Sequence, residues 1–231
     1  MPKFEAEQLS VKIRWQFKFI LSSLPFPGTK SFGALVREFQ SFGLTPQGIS
    51  LHTPTNNLGE TSLEIMLLNY RASVLFDYSS LEVVVNNLLV EEDDILLRLL
   101  QGAFNVMKLI EGSTEEGRGT TIVSAHLRLL DDNISDFLTR MVKKEGEMKH
   151  LVPDAMAFRI ELDDLAKQSE ARIVLAKSVK YENAIFTEMT YNFGSDSAEA
   201  AIEFHQKITN HYKAVFGIFD LQESLGSKEG T

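Results

Sequence analysis

The sequence predicts an α+β protein built as a tandem duplication of one β-α-β(3-4)-α unit, with an antiparallel sheet whose helices pack mainly on one face. Three observations carry that prediction. Short runs of period-two hydrophobic alternation recur along the chain, the mark of strands with one buried face. Longer runs with helical spacing interrupt them. Both kinds return in the same order on either side of the glycine-rich stretch 111–120. The boundaries expected are a first unit over 1–111, a linker over 112–120, a second unit over 121–222 and a flexible tail over 223–231, with the two units sharing one sheet.

The elements follow in order. Val11, Ile13, Trp15, Phe17 and Phe19 alternate with Lys12, Arg14, Gln16 and Lys18, a first strand. Phe26-Pro27-Gly28-Thr29-Lys30 is a turn, after which Phe32, Leu35, Val36, Phe39 and Phe42 are spaced as a helix. Ser31 is the expected N-cap, and Gly43 with Pro46 ends the helix. Residues 48–54, 62–70, 73–78 and 81–88 read as strands. The acids Glu91 to Asp94 suit the positive end of a helix dipole, and Leu96, Leu99, Leu100, Ala103, Met107 and Ile110 give that helix a buried stripe.

Beyond the linker, Val123, Ala125, Leu127 and Leu129 alternate again, and Asp131, Asp132 and Asn133 supply capping oxygens. Ile134, Phe137, Leu138, Met141 and Val142 are helix-spaced. Met156 to Leu162, Ile173 to Tyr181 and Ile185 to Phe193 alternate as strands, with a hairpin turn at Glu182-Asn183. A closing helix begins near Asp196, with Glu199 as capping-box partner and Ile202, Ile208, Tyr212, Val215 and Phe219 as its apolar stripe.

Composition narrows the function classes. A formal net charge of −9 repels nucleic acid and anionic membrane at long range, though it leaves room for a local basic patch. There are no cysteines, which removes disulfides, thiolate metal sites and cysteine nucleophiles. Acids stand near Met1 where a signal peptide carries bases, and no apolar run approaches the roughly 20 residues of a membrane span. A soluble cytoplasmic protein is expected.

No nucleophile elbow, zinc-protease, P-loop or dinucleotide motif is present, so no enzyme activity, cofactor or metal is expected. Pro27-Gly28-Thr29-Lys30 and Gly117-Arg118-Gly119-Thr120 read as a turn and a flexible linker ahead of any phosphate loop. His205 and His211 are six apart, about 120° around a helix, and so do not form one ligating face. The pairs Asp93-Asp94 and Asp131-Asp132 cap helices, and Asp163-Asp164 marks a turn.

Two resemblances rest on the order of elements and on short matches. Strand, helix, three or four antiparallel strands and helix, twice over in residues 9–220, resembles the fold of the TATA-box-binding protein, which implies one curved sheet shared by both units. No DNA-intercalating phenylalanine pairs can be assigned, and the acidic balance departs from that family's basic character. Ala125-His126-Leu127-Arg128-Leu129 and the stretch Ile208 to Leu225 are similar to a sporadically distributed family of uncharacterised prokaryotic proteins, a likeness that implies no activity.

The outward strand faces give the candidate sites. Lys12, Arg14, Lys18, Arg128, Arg159, Arg172 and Lys180, with His126, would form a basic surface able to meet a polyanion. Glu64, Glu82, Glu161 and Glu188 share that face, and a ladder of cross-strand ion pairs is the preferred reading. In the first unit Met66, Leu68, Leu75 and Val84, with Leu88, fall opposite the inward Leu63, Ile65, Leu67, Val74, Phe76, Val83 and Val85. Strands apolar on both faces are covered on both, by the chain itself or by a partner. The leading expectation is a non-catalytic protein-interaction or adaptor protein working through its sheet as a homodimer or with another protein. A nucleic-acid or polyanion binder is the second reading, and a small-molecule binder the third.

Overall fold

In the computed structural model the described residues are 4–54, 60–88, 93–110, 113, 116–141, 155–160, 170–195, 202–203 and 206; for a few residues in these spans, including all of 155–160, the backbone alone is described. They form an α+β fold with one nine-stranded sheet in the order β2-β3-β4-β5-β1-β6-β9-β8-β7. The strands are β1 (Phe4–Phe17), β2 (Ile49–His52), β3 (Ser62–Leu67), β4 (Ala72–Asp77), β5 (Ser80–Asn86), β6 (Gly117–Leu129), β7 (Ala155–Ile160), β8 (Glu170–Lys177) and β9 (Ala184–Ser195). Every pairing is antiparallel. The helices are α1 (Lys30–Phe39), α2 (Asp93–Met107) and α3 (Ile134–Met141).

One face of this sheet is the core. The rung Ala72, Val85, Val11, Val123, Met189 and Ile173 crosses six strands and is buried throughout. Leu35 and Phe39 of α1, Leu99, Ala103 and Phe104 of α2, and Phe137 and Leu138 of α3 close over the same face. Phe104 and Phe193 both stand 5.7 Å from Trp15, so one indole joins α2 to β9. The inward residues expected in the first unit and the buried stripe of α2 are all in this core.

Several boundaries differ from the sequence reading, each for a local reason. The N-cap of α1 is Thr29, whose Oγ accepts from Phe32 N–H at 3.1 Å, while Ser31 is buried inside the helix. Strand β1 starts at Phe4 because a register shift between Ala6 and Gln8 breaks the alternation that would reveal its first turn of ladder. It ends at Phe17, and Phe19 is 61% exposed. Val179 and Tyr181 leave β8 for the hairpin turn, with Val179 fully exposed.

The second half of the expected linker is strand. Gly117 to Thr120 pair with β1 and β9, and their glycines answer to packing. A Cβ on Gly117 would stand 2.6 Å from Trp15 Nε1, and one on Gly119 would stand 2.1 Å from Phe193 Cζ. Glycine here admits two aromatic rings to the backbone. Ile202, Glu203 and Gln206 are helical and Ile202 packs on the core. The rest of the expected closing helix with its two histidines, Glu161, Asp163-Asp164 and the 223–231 tail lie outside the described residues.

Candidate interaction surface

The opposite face of the sheet is built by the same strands one residue out of phase. One rung reads Met66, Ser73, Val84, Lys12, Ile122, Thr190 and Arg172. The next reads Glu64, Leu75, Glu82, Arg14, Thr120 and Asn192. A third carries Asn86, Ser10, Ser124, Glu188 and Val174, and a fourth Gln8, His126, Phe186 and Ala176. These side chains are half-buried or exposed, and none of their apolar members belongs to the core cluster. Among the described residues, this face is open.

Met66, Leu75 and Val84 come together on it as neighbours along and across β3, β4 and β5. Leu68 does not. It sits in the β3–β4 turn with φ 51°, its N–H bonded to Phe42 O at 2.9 Å and its side chain against the core. Leu88 is also a core residue, buried to 3%. The sequence reading missed Ile122, Val174 and Phe186, which make the second half of the face partly apolar as well. Their signal was the alternation with inward neighbours.

The basic candidates are placed along the face rather than in one patch. Lys12 pairs with Glu82 at 2.7 Å, Arg128 with Glu7 at 2.5 Å and Lys18 with Glu116. Lys180 donates to Gln8 Oε1 at 2.6 Å from the β8–β9 hairpin. Arg14 and Arg172 are exposed and make no ion pair among the described residues, and Arg118 joins them. Arg159 lies on β7 opposite Arg172, with no side-chain description. Ion pairs thus account for three of the seven candidate cations, and Arg14, Arg118 and Arg172 remain exposed. Arg118 was hidden from sequence reasoning by the glycines that made its segment look like a linker.

At one end of the face His126 is held by the hairpin. Ser178 Oγ accepts from the N–H groups of Lys180 and Tyr181 at 3.2 and 3.1 Å, so its own proton is left for His126 Nδ1, 3.0 Å away. That fixes the neutral imidazole with its proton on Nε2. Partial burial lowers its pKa, and the nearby charge of Lys180 lowers it further. Tyr181 and Phe186 ring the imidazole at 5.2 and 5.1 Å. Asn183, in the left-handed region at φ 48°, ties this hairpin to α3. Its side chain donates to Leu129 O and Asp132 O at 3.0 and 2.9 Å and accepts from Ile134 N–H at 3.1 Å.

A shallow concavity of about 750 Å³ lies between this hairpin and residues 131–135. Its backbone amides are largely engaged: Asn133 and Ile134 donate to Asp132 and Asn183, and Ser135 to Asn133. Among the described residues no three His, Asp or Glu side chains gather as a metal site, and no helix is long and apolar enough to cross a membrane. No protein-family model matches the chain, and no curated protein matches it.

Proposed function

We propose that this is a non-catalytic interaction protein that works through the open face of its sheet as a homodimer. The observation that carries the reading is the set Met66, Leu75, Val84, Ile122, Val174 and Phe186, which belong to no core and stand on one surface. Area favours a second copy. Strands about 4.8 Å apart make nine strands roughly 40 Å wide, and four rungs cover about 20 Å of strand. The resulting ~800 Å² per copy is what a standard protein interface needs.

The sheet order suits a tandem duplication of a TATA-box-binding-protein-like unit. From the β1–β6 seam outward the order is β5, β4, β3 on one side and β9, β8, β7 on the other, with α1 and α3 following the two seam strands. The absence of cysteine suits work in the cytoplasm. Sedimentation equilibrium tests the dimer. A two-copy mass is expected for the native chain and a single-copy mass for Leu75→Arg combined with Val84→Arg. A single-copy mass for the native chain into the millimolar range would sink the reading.

The exposed Arg14, Arg118 and Arg172 favour a second reading, a polyanion or nucleic-acid binder. Its mark is a gel shift that weakens steeply with salt and disappears in Arg118→Glu combined with Arg172→Glu.

A further inference from the structure

Where β1 ends beside the start of β6, the open face carries two arginines that form no ion pair among the described residues. Arg14 faces Thr120 across the ladder and Gln16 faces Arg118. Arg14 and Arg118 are therefore diagonal neighbours, about 7–8 Å apart, and both are exposed. On β9 the position opposite Arg118 is Gly194, which puts no side chain beside the guanidinium. Opposite Thr120 is Asn192, whose Oδ1 accepts from Thr120 Oγ1 at 2.9 Å. The amide Nδ2 of Asn192 keeps its donors free among the described residues, on the same rung as Arg14.

The acids around this pair are engaged or distant. Glu82, opposite Arg14 on β5, is bound by Lys12 at 2.7 Å. Glu116, two residues before Arg118, is bound by Lys18. Lys12, Arg14, Lys18 and Arg118 thus stand against two carboxylates, which leaves two positive charges in excess. Glu64 and Glu170 share Arg14's rung but lie three strands away on either side, about 14 Å. Glu64 contacts His52, and Glu170 is the register partner of Asn192, two strands from Arg118.

We propose that Arg14, Arg118 and Asn192 form a site for the phosphate group of a small phosphorylated molecule, held over Thr120. The planar guanidinium fork matches two phosphate oxygens at once. A phosphate monoester carries about −1.5 to −2 charges at pH 7 and three strong acceptor oxygens. That charge matches the local excess, and the oxygens suffice for two forks and one amide. A small molecule is favoured over a nucleic acid, which gathers affinity from several phosphate contacts in a row. The next cations along the seam, Lys12 and Lys18, are already paired, and the net charge of −9 repels a polyanion at long range. Arg118 lies one rung beyond the four that the homodimer reading covers. The site therefore borders that interface and does not depend on it, and it differs from the polyanion reading in needing one phosphate group.

Isothermal titration calorimetry of the full native chain with inorganic phosphate, against chloride at matched ionic strength, tests the site. Saturable binding with a dissociation constant of about 1 mM or tighter is expected. Arg14→Gln and Arg118→Gln should each weaken it at least about tenfold, as the loss of a hydrogen bond between charged groups does. Arg172→Gln, on β8 and two strands from Arg118, should leave it unchanged. Circular dichroism checks that the variants fold. No saturation of the native chain by about 10 mM phosphate overturns the site without recourse to any variant. An equal loss in Arg172→Gln would make the binding a general response to charge and overturns it as well. So does a single-stranded oligonucleotide that displaces phosphate with a steep salt dependence, a result that favours the polyanion reading. None of these readouts is the oligomeric state, so a monomeric native chain sinks the homodimer reading alone.

Discussion

The two halves of the sheet agree on one face and differ on the other. Inward, β4 and β5 offer Ala72 and Val85 where β9 and β8 offer Met189 and Ile173, all buried on one rung. One residue along, the outward rung runs from Met66, Ser73 and Val84 in the first half to Ile122, Thr190 and Arg172 in the second. Burial beneath helices favours apolar side chains of fitting volume, with Thr121 and Thr187 buried among them. The opposite face is under no such restriction, and apolar, polar and charged residues share it. The difference places the core on one face and a mixed apolar and charged surface on the other.

The most direct way to break this comparison is at the seam, which both halves share. Trp15 is buried at the centre of the core and touches α2 and β9 through Phe104 and Phe193. Trp15→Ala is expected to cost about 3–5 kcal/mol and to lower both halves in one cooperative transition. Denaturation followed separately by far-ultraviolet circular dichroism and by a probe on β8 checks it. Two resolved transitions would show that the halves fold independently.

A smaller test sharpens the account of the same seam. Gly119→Ala drives a methyl into Phe193 and is expected to cost about 1–3 kcal/mol by overpacking. Phe193→Leu in the same chain should recover part of that loss, a coupling that a double-mutant cycle in urea measures. Additive effects would mean that Gly119 is needed for something other than the ring.

Which parts of this were legible depends on how each residue signals its surroundings. Clean alternation from Leu63 to Val85 gave β3, β4 and β5 with their inward sets, because each short strand is half buried and regular. The start of β6 was illegible since Gly117 and Gly119 announce flexibility, while their reason is an indole and a phenyl ring from strands distant in sequence. The open face was half legible. Met66, Leu75 and Val84 stood out against inward neighbours, but Leu68 followed the same alternation into a turn where three successive residues have positive φ. No pattern in a single strand could show Lys12 beside Glu82, since that contact depends on register.

On the open face itself, single substitutions should scarcely move the stability of the fold. Leu75→Arg leaves the core intact, and its effect on monomer unfolding is expected within about 0.5 kcal/mol. The neighbouring Phe76→Ala, inward on the same strand, should cost about 3–5 kcal/mol. Thermal denaturation of the two variants at low concentration makes the comparison in one element. Equal losses would mean that Leu75 is packed inside the monomer and that the face is not open.

The smallest effect belongs to the hairpin end of the second half. His126 is kept neutral by partial burial and then by Lys180, so its folded-state pKa lies below its ordinary value. The unfolded chain therefore binds that proton more readily, and stability falls as pH drops below about 6.5 through the folded pKa. Above that window the contribution is constant. Protonation would also place a proton on Nδ1 facing Ser178 Oγ, whose lone pairs already accept from Lys180 and Tyr181. His126→Gln should flatten this component of the denaturation midpoint against pH, and Lys180→Gln should narrow it by removing the second cause. A native slope that survives in His126→Gln would assign the titration to another group and leave the hairpin without a pH-sensitive joint.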